Sequence, residues 1–107
     1  MADKEAVMNT FLATLAPLGP VRAKAMFGGY GVFLDDAMFA KISSKGVVAL
    51  KADAENLPAF EAAGMPKAGK MPYYEVRAAD LEDGEKILAW ARGSVDAASR
   101  HAKNKQK

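Results

Sequence analysis

Met26-Phe27-Gly28-Gly29-Tyr30-Gly31-Val32-Phe33-Leu34, the stretch MFGGYGVFL, decides how this chain folds. Three glycines within four residues have two physical readings. They form either a loop whose amides wrap an anion, or a bend that starts a strand. An anion-binding loop needs a helix N-terminus directly behind it. The dinucleotide fingerprint G-x-G-x-x-G would begin at Gly29-Tyr30-Gly31, but its third glycine position holds Leu34, and a P-loop lysine is absent. Directly behind Gly31 stand the β-branched Val32 and the aromatic Phe33, which favour strand over helix. The glycines therefore read as backbone chemistry. Gly28 and Gly29 turn the chain at positive φ, and Gly31 marks a bulge or a close approach by another backbone or ring.

Outward from that stretch the pattern is short strands at hairpin spacing. Val21 to Phe27 is a weak, alanine-rich strand and Tyr30 to Leu34 a strong one. Asp35-Asp36 reads as a turn, Ala37 to Ser43 as a strand, Ser44-Lys45-Gly46 as a turn and Val47 to Ala52 as a strand. Antiparallel pairing is the expectation, because parallel pairing needs long crossovers. With a two-residue loop at Asp35-Asp36, Leu34, Val32 and Phe39 share one face, and Phe33, Met38, Ala40 and Ile42 share the other. Both faces are then apolar, so both need cover. Two candidates supply it: the chain's own helices curling round, or a second copy making a homodimer.

Helices flank the strands. Val7, Met8, Phe11, Leu12 and Leu15 recur at spacings of three and four, giving a helix over residues 3 to 15 with Asp3 as N-cap and Pro17 as its stop. Asp53 or Asn56 caps a short helix with Pro58 in its first turn and Gly64 at its end. Pro72 to Val76, PYYEV, is an aromatic strand in which Tyr73 and Tyr74 point to opposite faces. Asp80 caps a long helix reaching about Ala98, with Leu81, Ile87, Leu88, Ala91 and Val95 as its stripe and Trp90 at its edge. The expectation is an α+β fold of two layers. An antiparallel sheet of about five strands (three or four consecutive hairpin strands, a helix, one further strand) carries N-terminal, middle and long C-terminal helices.

The totals bound the chemistry. At 107 residues the chain reads as a single domain over residues 1–98, with a basic tail at 99–107, disordered or a frayed helix end. It contains no cysteine, which excludes disulfides, thiol catalysis and cysteine-ligated zinc. The N-terminus has no apolar signal region, and no apolar run approaches membrane-spanning length. The formal charge is +2, yet residues 1 to 99 carry 11 basic and 13 acidic groups. The basic excess sits in Arg100, Lys103, Lys105 and Lys107. Those four residues are the candidate phosphate contacts of a nucleic-acid-binding alternative, set against a plain solvated helix end. The only histidine, His101, lies in that tail with nothing to orient it. Ser43, Ser44, Asp35 and Asp36 are explained by turn chemistry. No catalytic, cofactor-binding or metal site emerges. The candidate interaction surface is Tyr30, Phe33, Met38, Ile42 and Tyr74, and a small-molecule pocket near Tyr30, Tyr73 and Tyr74 is a third reading.

Several segments taken in order carry a family resemblance. MFGGYGVFLDDAMFAKI at 26–42, VVALKAD at 47–53, MPYYEV at 71–76 and LEDGEKILAWARGSV at 81–95 resemble the N-terminal domain of the TfoX/Sxy family. The matches span roughly residues 20 to 98. Arg77 departs from the pattern, which has proline after the YYEV strand. The resemblance implies a cytoplasmic bacterial regulator without a catalytic motif, needing no cofactor and working through a protein partner such as a transcription regulator. Longer members act in natural competence and carry a second, C-terminal domain. This chain instead has a lysine-rich tail at that point, so the fold is expected to transfer more securely than the competence role.

Overall fold

The computed structural model describes residues 4–26, 28–35, 37–69 and 72–105, with the side chains of 78 and 101–105 outside that description. Asp3, the expected first cap, and Asp36 therefore lie outside the described residues. Five strands form one antiparallel sheet in the order β1-β2-β3-β4-β5: β1 is Arg22–Met26, β2 Gly29–Leu34, β3 Ala37–Ile42, β4 Val48–Lys51 and β5 Tyr73–Glu75. The helices are α1 (Lys4–Leu15), α2 (Leu57–Ala62), α3 (Ala78–Leu81) and α4 (Gly84–Lys105). The expected two-layer α+β arrangement is the one observed.

The helices lie on one face of the sheet. Phe11 and Leu15 from α1, Phe60 from α2, and Ile87 and Ala91 from α4 pack with Val32, Phe39, Ala40, Ile42, Val48 and Leu50 into one buried cluster. The Phe60 ring meets Trp90 edge-on at 6.0 Å and Tyr74 at 6.1 Å. Ser94, fully buried on α4, donates its hydroxyl to the Lys51 carbonyl at 2.8 Å, which fixes the long helix to β4.

One irregularity changes the face assignment. Leu34 pairs with Ala37 and Phe33 with Met38, as a two-residue loop requires, but then Val32 pairs with Ala40 because the register shifts between Val32 and Phe33. The extra residue, Phe39, is accommodated as a β-bulge. From there on every β3 side chain is displaced by one position. Ala40 and Ile42 therefore turn to the helix side and join Val32 and Phe39, and only Met38 stays with Phe33. The expected placement of Ala40 and Ile42 beside Phe33 is corrected by that residue. The second face keeps Phe33 and Met38 among its apolar groups and loses Ala40 and Ile42.

The last helix also starts differently. Asp80 lies within α3, where it accepts from Arg77 Nε at 3.3 Å and Lys86 Nζ at 3.1 Å. Asp83 caps α4 instead, accepting from the Lys86 amide at 3.1 Å. Arg77 has φ −71°, close to the value a proline ring would impose, so the backbone angle at this position is one that proline also adopts.

Candidate functional site

The face of the sheet away from the helices is built by strand alternation. Arg22, Lys24 and Met26 of β1, Gly31 and Phe33 of β2, Met38 and Lys41 of β3, Ala49 and Lys51 of β4, and Tyr73 and Glu75 of β5 all point there. Among the described strand residues this face sets four cations against the single carboxylate of Glu75. The helices and their connections carry most of the acids, among them Asp53, Glu55, Glu61, Glu82, Asp83, Glu85 and Asp96. Lys4, Arg77, Lys86, Arg92 and Arg100 offset many of those acids, so the helical layer is close to neutral and the sheet face is net positive.

Gly31 forms the low point of the open face. A Cβ there would meet Met26 Sδ at 2.7 Å, Phe33 Cε1 at 3.1 Å and Met38 Sδ at 3.2 Å, so two thioethers and a ring converge over bare backbone. Gly29 is tighter still, since a Cβ would overlap the Ile42 carbonyl oxygen. Of the two glycines expected to turn the chain, Gly28 alone has positive φ, at 77°, and Gly29 is a strand residue. The Gly28 carbonyl accepts from Lys4 Nζ at 2.7 Å.

Beside that point lies a trough of about 430 Å³, lined by Met26, Met38, Tyr73, Lys41 and the Ser43-Ser44 turn. A second hollow of about 410 Å³ lies on the other side of Lys41, bounded by Lys45, Ala49 and Glu75. Lys41 thus stands on the ridge between them. Tyr73 is only 3 % exposed, with the ammonium groups of Lys41 and Lys51 at 5.3 and 5.2 Å from its ring centre. Burial pushes its phenol pKa up. Arg22 lies over Phe33 at 5.8 Å.

The residues expected to form one surface are divided between the faces. Phe33 and Met38 are on the open face. Ile42 is buried in the core, and Tyr74 packs on Phe60 from the helix side. Tyr30 pairs with Ile42, packs against the core and reaches the rim of the trough. Tyr73, not Tyr74, faces the open side. Of the tyrosines expected at a pocket, Tyr30 and Tyr73 line the trough and Tyr74 does not; sequence reasoning missed Met26, Lys41 and Lys51 as their neighbours, which only the strand register brings together.

In the tail, Arg100 Nε bonds Asp53 Oδ2 at 2.6 Å and lies 3.1 Å from Glu55 Oε2. That hydrogen bond holds the Asp53 carboxyl below the ordinary range, against the opposing effect of burial, and raises the Arg100 pKa. A phosphate at Arg100 would compete with two carboxylates. The side chains of His101, Lys103 and Lys105, and all of Lys107, lie outside the described residues. Among the described residues, no group of His, Cys, Asp or Glu is arranged to hold a metal ion, and no helix is long and apolar enough to cross a membrane.

The family model described as TfoX N-terminal domain matches residues 13–98, which takes in the sheet and most of its helical layer. The chain belongs to the TfoX N-terminal domain family. No curated protein matches the chain.

Proposed function

We propose that this TfoX N-terminal domain is a non-enzymatic regulatory module of the bacterial cytoplasm, acting in transcription control by binding a protein partner. The observation that carries the reading is the helix-free face of the sheet. There Met26, Phe33 and Met38 stand over Gly31, ringed by cations, instead of under a second layer of helices. Apolar groups grouped at a surface and rimmed by charge are how proteins meet one another. Family membership supports a regulatory role over a catalytic one. The test is a transcript profile from host cells overproducing the wild-type chain or Met38→Glu. A set of transcripts that responds to the wild type and not to the variant is expected. No response, or the same response to both, defeats the reading.

A further inference from the structure

Resting on that regulatory reading, we propose that the open face takes an acidic segment of the partner protein, one apolar side chain seated between Met26 and Met38 and flanking carboxylates meeting Lys41, Lys24 and Lys45. Three observations lead there. The trough of about 430 Å³ is apolar along Met26, Met38 and Tyr73, and falls within the size range of a binding pocket. Methionine makes such a trough adaptable, since its unbranched thioether repacks around differently shaped guests. Lys41 stands between this trough and its neighbour, so a carboxylate on either side of the apolar anchor comes within its reach.

The charge layout selects the sign of the guest. Arg22, Lys24, Lys41 and Lys51 share the open face with the single carboxylate of Glu75, Lys45 lies in the turn at its margin, and the face is net positive. A field of one sign on one side of a small molecule steers an oppositely charged partner to that side. The same layout turns away a basic segment.

Single-stranded nucleic acid is also anionic, but it gains much of its affinity on protein from bases stacking on open rings. Here Tyr73 is nearly sealed, with two lysines at its ring, and Phe33 carries Arg22. The trough between the methionines suits an aliphatic or aromatic side chain better than a phosphodiester. The observations therefore favour a polypeptide.

The test uses the full chain and a fluorescein-labelled short peptide with a central Leu-Phe pair flanked by glutamates, read by anisotropy at low salt. Three other probes run beside it: the glutamine-flanked peptide, the lysine-flanked peptide and oligothymidine. The acidic peptide is expected to bind best, with roughly tenfold weaker binding to Lys41→Glu or Met38→Glu. Arg92→Glu, on the outer side of α4, is expected to leave binding unchanged. Circular dichroism and urea unfolding of each variant separate lost binding from lost folding. Lys41→Glu should also improve binding of the lysine-flanked peptide, which a merely structural role for Lys41 would not do. Equal binding of the acidic and glutamine peptides, no binding of either, or tighter binding of oligothymidine overturns the proposal. If the peptide fails while the transcript response still depends on Met38, the acidic chemistry falls and the regulatory reading stands. If the peptide binds and no transcript responds, the regulatory reading falls alone.

Discussion

Two faces of one sheet carry side chains of similar size under different constraints. On the helix side Val32, Phe39, Ala40, Ile42, Val48 and Leu50 touch one another and three helices, and none is more than 2 % exposed. On the open side the large residues Met26, Phe33 and Met38 fold down over a glycine and keep part of their surface in water. A defect on the first face has no neighbour able to fill it. Around Gly31 a change on the second is taken up by flexible side chains and solvent, whereas Ala49, Lys51 and Tyr73 at its β4–β5 end are themselves buried. The helix side therefore sets stability, and the open side around Gly31 is where surface chemistry can vary without unfolding the chain.

Substitutions can break that contrast. The largest effect is expected from Phe39→Ala, which empties the bulge position at the centre of the core and should cost ~3–5 kcal/mol in urea unfolding. A value near 1 kcal/mol would show that the bulge collapses readily and that the face assignment at β3 is loose. Next come the two glycines. Gly29→Ala presses a methyl into the Ile42 backbone, which cannot swing aside, and should cost about 2–3 kcal/mol. Gly31→Ala meets only thioethers and a ring edge, and should stay within about 1 kcal/mol. If both glycines cost the same, the distinction between rigid and yielding surroundings fails. Met38→Glu should change stability by less than about 1 kcal/mol, because its side chain already reaches water.

The smallest effect sharpens the electrostatic side of the comparison. Arg100 keeps the Asp53 pKa low in the folded chain, so the folded state holds that carboxyl ionised at pH values where the unfolded chain protonates it. Its contribution is complete above the ordinary carboxylate range and is lost as pH falls through that range towards the folded value. Asp53→Asn should therefore be less stable than wild type at neutral pH, with the gap closing in acid. A gap that stays constant from neutral pH to about pH 3 would show that the ion pair contributes nothing.

Much of this architecture was legible in residue order. The hairpin joining Leu34 to Ala37, the end of α1 before Pro17, the Asp53 turn before Pro58 and the strand within PYYEV come from local chemistry, and each is where that chemistry puts it. The β3 bulge was not legible, because nothing in AMFAKI marks which residue is extra. Both registers place apolar residues inward, and the observed one is the one that packs against α1 and α4. That one residue moved Ile42 from the expected surface into the core. Tyr73 and Tyr74 posed a similar ambiguity, since alternation gives opposite faces without saying which is which. The basic face was hidden for a different reason. Arg22, Lys24, Lys41 and Lys51 lie on three separate strands, and a running count of charge along the chain averages them against acids that fold into the other layer. Asp83 displaced Asp80 as the cap because Asp80 is held by Arg77 and Lys86 in a short helix of its own.

The peptide group after Lys51 occupies an unusual position between the layers. Its oxygen receives Ser94 Oγ from the long helix and Asn56 Nδ2 from the turn before α2, while the ammonium of the same residue sits at the Tyr73 ring on the far side. Strand, helix and outer face are thus fastened at one amino acid. A shift of the β4 backbone at this residue would therefore move both anchors together.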